Sequence, residues 1–175
     1  LLQALSAQDL IDFDAFQFRS VGPLRGGRVT AVTGVADQAA VYYLGSTGGG
    51  LGMTEDYGIT CKNCSDGYFA TPSIGAICVA PQNSELIYVG TGSDGMRSNV
   101  IVGKGMYKSE NGGDDWTAIG LEKVGQIGAV EVHPNDRNVV FVAAIGQPFQ
   151  SNEERGIYRT ADGGKRWEKV LYLSD

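Results

Sequence analysis

An all-β fold of four-stranded antiparallel blades, a β-propeller, is predicted by three observations. A turn signature recurs three times. An apolar alternation precedes each copy. The 26 glycines of this 175-residue chain recur at fixed places among apolar pairs. Glycines placed in that way mark tight turns between short strands rather than flexible linker.

The signature occurs as TEDYGITC (Thr54–Cys61), SENGGDDW (Ser109–Trp116) and TADGGKRW (Thr160–Trp167). All three fit S/T-x-D/N-x-G-x-x-aromatic, except that Cys61 replaces the aromatic residue in the first. Asp56, Asn111 and Asp162 are expected to fold back onto backbone N–H groups of their own turns. Gly58, Gly113 and Gly164 supply positive φ. Trp116 and Trp167 are expected to pack between neighbouring sheets.

Upstream of the turns, Val32, Ile77 and Val130 each begin an apolar alternation, and Tyr43, Tyr88 and Phe141 follow 11 residues later. The polar clusters ADQAA, PQNSE and PNDRN lie between them as turns. Each unit therefore reads strand, turn, strand, loop, strand, signature turn, strand. The Val32–Ile77 and Ile77–Val130 spacings are 45 and 53 residues, the period of a propeller blade. The expected core comprises Val32, Val79, Tyr88, Val130, Val132, Phe141, Trp116 and Trp167.

Phe18–Val32 aligns without a gap on Trp116–Val130, FRSVGPLRGGRVTAV against WTAIGLEKVGQIGAV. Phe18–Val21 is therefore expected to be an outer fourth strand that completes a closing blade. This divides the chain into a lead-in, 1–15, and a partial propeller, 16–175. Blade 1 covers about 28–64, blade 2 about 73–120 and blade 3 about 126–172, with 18–21 as the outer strand of the closing blade. Three blades and one strand form an incomplete ring, since closed propellers have about four to eight blades. The expected partners are thus missing blades or other chains of an assembly.

Composition excludes several function classes. The net charge is −6, from 14 Lys+Arg against 20 Asp+Glu, so no basic excess exists to neutralise nucleic-acid phosphates or an anionic membrane surface. No window is long and apolar enough for a membrane-spanning helix. Cys61, Cys64 and Cys78 contain one CxxC, and a zinc site needs four ligands where the chain offers a single histidine, His133. The cysteines are read as one optional disulfide or three free thiols, and neither a metal nor a cofactor is expected.

The three turns resemble the Asp boxes, or bacterial neuraminidase repeats, of sialidases, xyloglucan hydrolases and the sortilin luminal domain. FRSVGPLRGGRVTAV, YYLGSTGGG and GYFATPSIGAI resemble more closely the large secreted bacterial repeat proteins called sortilin-like or glycosyl-hydrolase-like. That resemblance implies a secreted or periplasmic location, although no signal peptide is visible in the sequence. It also implies a Trp where the first turn has Cys61, and losing an inter-blade Trp costs about 3–5 kcal/mol. Xyloglucan hydrolases of the group carry an Asp in T-D-x-G-G after the second strand of the first blade. Here that stretch is Ser46–Gly50, and Thr47 stands at the Asp position. Thr is no general acid or base at neutral pH.

Function is expected on the face opposite the signature turns, because long loops on a rigid scaffold carry binding residues. The candidates there are Arg25, Arg28, Asp94, Arg97, Asn99, Glu153 and Arg155. Arginines suit a carboxylate or phosphate ligand. Arg25–Arg28 also reads as a plain turn entering a strand. Catalytic residues are not assignable. The favoured reading is a non-catalytic propeller that binds a protein, peptide or glycan. The alternative is part of a glycoside hydrolase whose two carboxylates lie partly on other blades.

Overall fold

The computed structural model describes residues 27–95 and 99–172. The lead-in 1–15 and the strand expected at Phe18–Val21 lie outside the described residues. Among those described, twelve strands form three four-stranded antiparallel sheets and no helix occurs. The first sheet holds β1 (Val29–Val35), β2 (Gln38–Ser46), β3 (Leu51–Thr54) and β4 (Lys62–Asn63). The second holds β5 (Ile74–Ala80), β6 (Asn83–Thr91), β7 (Met106–Ser109) and β8 (Thr117–Ala118). The third holds β9 (Gln126–His133), β10 (Asp136–Gly146), β11 (Gly156–Thr160) and β12 (Glu168–Leu171). Each sheet is a meander in chain order. The first strands β1, β5 and β9 lie against one another, which makes them innermost and the short fourth strands outermost.

Two hydrophobic cores hold the sheets together, one at each junction. Between blades 1 and 2, Ala31, Tyr43, Leu51 and Met53 meet Ile87, Val89 and Tyr107. Between blades 2 and 3, Ala76, Tyr88 and Met106 meet Val130, Val142 and Tyr158. The register explains the division. Thr33 opposes Tyr43 and Cys78 opposes Tyr88, so these side chains share one face, which looks toward the next blade. Val130 opposes Val142 and Tyr158 follows on the same face, which looks back toward the preceding blade. Each forward tyrosine crosses its junction. Tyr43 donates its hydroxyl to Gly112 O at 2.7 Å and Tyr88 to Arg137 O at 3.2 Å. Burial pushes the Tyr88 phenol up to about 12.

Two expected core residues are on the surface. Val32 is 65% exposed and Phe141 is 38% exposed. Val32 lies on the backward face of blade 1 and Phe141 on the forward face of blade 3. Neither face meets a described blade, so strand alternation alone does not bury them. The Arg159 guanidinium stands 6.0 Å from the Phe141 ring centroid. Tyr88, Val130, Val132 and Trp116 are buried, while Val79 and Trp167 are half-buried against the two cores.

The three signature turns close in one pattern. In the first, Gly58 N donates to Thr54 Oγ1 at 2.8 Å, the Thr54 hydroxyl donates to Asp56 Oδ1 at 2.8 Å, and Thr60 N donates to the same oxygen at 2.8 Å. In the second, Gly113 N reaches Ser109 Oγ at 2.8 Å and Asp115 N reaches Asn111 Oδ1 at 2.9 Å. In the third, Gly164 N reaches Thr160 Oγ1 at 3.0 Å and Arg166 N reaches Asp162 Oδ1 at 2.9 Å. The glycines sit at φ 89°, 94° and 95°, where a Cβ is disfavoured. These bonds hold the Asp56 and Asp162 carboxyls below the usual range, chiefly through the Thr60 hydroxyl and the Arg166 amide respectively.

Each terminal Trp reaches backward. Trp116 Nε1 donates to Cys64 O of blade 1 at 2.9 Å, and its indole meets Phe69 edge-on with centroids 5.1 Å apart. Trp167 Nε1 donates to Ile119 O of blade 2 at 2.6 Å. Cys61, at the corresponding place in blade 1, is exposed.

Candidate binding face

The signature turns and the tight β1–β2, β5–β6 and β9–β10 turns occupy one face. The connections β2–β3, β4–β5, β6–β7, β8–β9 and β10–β11 occupy the other. At the inner end of this second face, three equivalent residues stand at the heads of the first strands: Arg28 and Ser73 just before β1 and β5, and Gln126 opening β9. Arg28 is exposed, and its carbonyl accepts Thr47 N at 2.9 Å while its own amide meets Thr47 Oγ1 at 3.3 Å. Ser73 is fully buried and its hydroxyl lies 3.0 Å from that of Ser93. Ser93 Oγ also accepts Ile101 N at 3.1 Å, which pins the base of the β6–β7 connection. Thr91 Oγ1 donates to Gly105 O at 2.7 Å and accepts Lys104 N at 2.7 Å.

Gln126 is 1% exposed, yet neither its Nε2 nor its Oε1 has a hydrogen-bond partner. A buried amide left unpaired costs about 1–3 kcal/mol, so such groups are rare. Two further described residues share this condition, Asp94 at Oδ1 and Asn152 at Oδ1. Asp94 belongs to the β6–β7 connection and Asn152 to β10–β11. Thus every described residue with a buried, unpartnered side-chain polar atom lies on this one face.

Close backbone packing brings the three connections together. A Cβ on Gly92, two residues before Asp94, would lie 2.9 Å from Gln126 Cα. Gly146 is the register partner of Gln126 across β9 and β10. A Cβ on Gly146 would overlap the Asn152 amide. The pairing is irregular here, with a register shift between Ala144 and Gly146. Asn152 Nδ2 donates to Gln147 O at 3.1 Å and Gln150 O at 3.2 Å, which turns Oδ1 away from those bonds.

Not all the sequence candidates converge. Arg25 and Arg97 lie outside the described residues. Asp94 is half-buried at the cluster, whereas Arg28 sits at the start of blade 1. Asn99 and Glu153 are exposed, and the Glu153 carbonyl accepts Lys169 Nζ. Arg155 is half-buried and donates Nε to Ile145 O at 3.1 Å. Glu154 accepts the Tyr158 hydroxyl at 3.1 Å, and burial together with this carboxylate pushes the Tyr158 phenol up to about 12. Gln126 and Asn152 were not singled out from the sequence. The signal for Gln126 was the gapless alignment that places it opposite Arg28.

Among the described residues no group of three His, Cys, Asp or Glu side chains could hold a metal ion. The three cysteines are free thiols, and burial pushes Cys64 up to about 11. No helix among the described residues is long and apolar enough to cross a membrane.

No protein-family model matches the chain, and no curated protein does. Solved structures do. An ancestral GH74 enzyme superposes with a TM-score of 0.67 at 22% identity over 87% of this chain and 20% of its own. A GH74 xyloglucanase from Xanthomonas campestris gives 0.61 and 21% over 88% of this chain and 22% of its own. YCF48 bound to D1 peptide gives 0.55 and 15% over 82% of this chain and 41% of its own. The fold is a β-propeller. The chain spans about a fifth of the GH74 chains and about two-fifths of the YCF48 chain, and at these identities the likeness fixes the fold and nothing finer. The candidate face is therefore one end of a propeller, with the inner strands leading to it.

Proposed function

We propose that the chain is part of a non-catalytic binding propeller of the Asp-box, sortilin-like kind, secreted or periplasmic, with its ligand on the face of the long connections. One observation carries this reading: the residues with buried polar atoms that lack partners, Asp94, Gln126 and Asn152, all belong to the connections and strand start at that end. The local chemistry there is that of hydrogen-bonding amides and hydroxyls, with Thr47 at the position where the resemblance implies an Asp. A protein or peptide ligand is supported by the fold's likeness to YCF48, whose structure holds a peptide. Further blades or another chain are proposed to cover the forward face of blade 3 and the backward face of blade 1.

The second reading, part of a glycoside hydrolase, is favoured by the likeness to the two GH74 structures. Hydrolysis needs two carboxylates about 5–10 Å apart across the bond. The test is direct. The full-length protein is incubated with xyloglucan and its reducing ends are counted, and binding of the same polymer and of a peptide library is measured in parallel. Binding without turnover is the expected result. Turnover that survives Asp94→Asn but is abolished by removing a carboxylate on another blade would establish the hydrolase instead. Cell fractionation with an antibody against the chain tests the location, and a cytoplasmic signal alone would overturn it.

A further inference from the structure

The groove beside Trp167 has an internal counterpart that shows what fills such a place. At the junction of blades 1 and 2, the β4–β5 connection sets Phe69 edge-on against Trp116 and stacks it on Tyr107, with ring centroids 5.1 and 4.2 Å apart. The preceding Tyr68 donates its hydroxyl to Asp115, the residue before that tryptophan, at 2.7 Å. At the junction of blades 2 and 3, the β8–β9 connection reads GLEKVG over 120–125 and brings no aromatic residue. Trp167 is left half-buried in the wall of an open groove of about 660 Å³. The groove runs between the second and third signature turns and the outer strand β8, and Asp94, Gln126 and Asn152 line no part of it.

The charges at the two junctions differ in a way that selects a ligand. The signature ends Asp114-Asp115-Trp116 in blade 2 and Lys165-Arg166-Trp167 in blade 3. Aspartate accepts the Tyr68 hydroxyl, whereas lysine and arginine only donate. Four charged side chains line the groove. Glu110 is paired with Lys108 at 2.7 Å, and Asp115 holds the Tyr68 hydroxyl and, at 3.0 Å, the Asn111 amide. The fourth, Lys165, is exposed, and its ammonium makes no ion pair or hydrogen bond among the described residues. A ligand matched to this wall brings a ring for Trp167 and a carboxylate for Lys165. A neutral sugar can stack on the indole but brings no charge to Lys165.

We propose that this rim groove is a second binding site, for a peptide segment in which an acidic residue precedes an aromatic one, arranged as Tyr68-Phe69 is at the first junction. The ring takes at Trp167 the place that Phe69 holds at Trp116. The carboxylate meets Lys165, with Arg166 next to it in the chain, and reverses the polarity of the Tyr68–Asp115 contact. The site is separate from the face of the long connections and does not depend on what binds there.

The experiment titrates the ¹⁵N-labelled full-length protein with the capped peptides Gly-Asp-Phe-Ala, Gly-Asp-Leu-Ala and Gly-Lys-Phe-Ala, and with cellotetraose. Contact is read at the Trp167 indole N–H resonance, assigned by its loss in Trp167→Phe. The Asp-Phe peptide is expected to shift that resonance. The Asp-Leu peptide should bind about three- to tenfold more weakly, for want of the ring–ring contact. The Lys-Phe peptide should bind about two- to fivefold more weakly, the range of an exposed ion pair. Lys165→Glu is expected to invert the order of the Asp-Phe and Lys-Phe peptides. Lys123→Glu, an exposed charge of the β8–β9 connection outside the groove, should leave that order unchanged. Both substitutions are at exposed positions, and circular dichroism verifies the fold.

Equal binding of the Asp-Phe and Asp-Leu peptides would overturn the proposal, as would an order that Lys165→Glu does not invert. Inversion by Lys123→Glu as well would reduce the effect to diffuse electrostatics and sink the site. A Trp167 resonance that moves with cellotetraose and not with peptide would make the groove a saccharide site instead. A resonance unmoved by every ligand would show that the groove holds only water. Each of these results leaves the reading of the opposite face to its own test.

Discussion

Replacing Trp116 by alanine measures how much one inter-blade indole contributes. Trp116 is 7% exposed, its Nε1 serves both Cys64 O at 2.9 Å and Gly113 O at 3.1 Å, and the Phe69 ring meets it at an interplanar angle of 83°. Removing a buried indole costs about 3–5 kcal/mol, and here two carbonyls also lose their donor. The expected loss for Trp116→Ala is therefore about 4 kcal/mol. For a chain of this length, 1 kcal/mol corresponds to about 2–4 °C, so Tm should fall by about 8–16 °C. Trp167 provides the internal control. It makes the equivalent bond to Ile119 O but is only half-buried and borders an open groove of about 660 Å³. The groove exists because the β8–β9 connection is short. The longer β4–β5 connection supplies Phe69, and also Tyr68, whose hydroxyl ties to Asp115 at 2.7 Å. Trp167→Ala should thus cost about 2 kcal/mol, in proportion to the smaller buried area. Thermal melts followed by circular dichroism and by calorimetry decide the matter. If Trp167→Ala proves as costly as Trp116→Ala, the argument from the Phe69 and Tyr68 packing is wrong.

Three further outcomes are expected. Tyr88→Phe should cost about 1 kcal/mol near neutrality through loss of the bond to Arg137 O. Tyr88 is raised in the fold, so its stabilisation is complete below the unfolded phenol value of about 10 and is lost as pH rises toward 12. The gap between denaturant midpoints at pH 9 and pH 11 should therefore narrow in Tyr88→Phe, with the raised Tyr43 and Tyr158 phenols keeping the remainder. Asp56 and Asp162 are lowered in the fold, so their contribution is present above the unfolded carboxyl value and is lost as pH falls below it. Asp56→Asn and Asp162→Asn should flatten the acid limb of the stability curve, an effect that vanishes if these turns do not form in solution. In the 175-residue chain, Phe141→Ala should cost less than about 1 kcal/mol, whereas Tyr43→Ala, at the same place in blade 1, should cost about 3–5 kcal/mol. Equal costs would show that something covers the forward face of blade 3.

Legibility followed locality. The signature turns were readable because a Thr or Ser hydroxyl, an Asp or Asn and a Gly close their hydrogen bonds within a few residues. Strand alternation likewise placed Tyr88, Val130 and Val132 inside. It failed at Val32 and Phe141 because burial there depends on whether another sheet stands opposite, which strand periodicity does not encode. The site was harder still. Gln126 opens a strand in the run Val-Gly-Gln-Ile-Gly, where a single polar residue reads as an edge position. Its significance comes from Gly92 and Gly146, distant in sequence, and from Asn152 spending its amide nitrogen elsewhere. Asp94 was visible as a loop acid, but nothing nearby in the chain indicates that one of its oxygens lacks a partner.

The forward tyrosines have an evolutionary consequence. Tyr43 donates a hydrogen bond to blade 2 and Tyr88 donates one to blade 3, so both junctions among the described residues have a donor and an acceptor in the same order. A gene duplication or deletion of a whole unit that carries such a tyrosine therefore leaves the junction after it with donor and acceptor matched, whereas blade 3, with Phe141 at that place, brings no hydroxyl. Unit number can drift while the grammar of the contacts stays fixed. A change of half a unit would break it at once. Selection on such a chain can alter the circumference of the ring without first redesigning any of its joints.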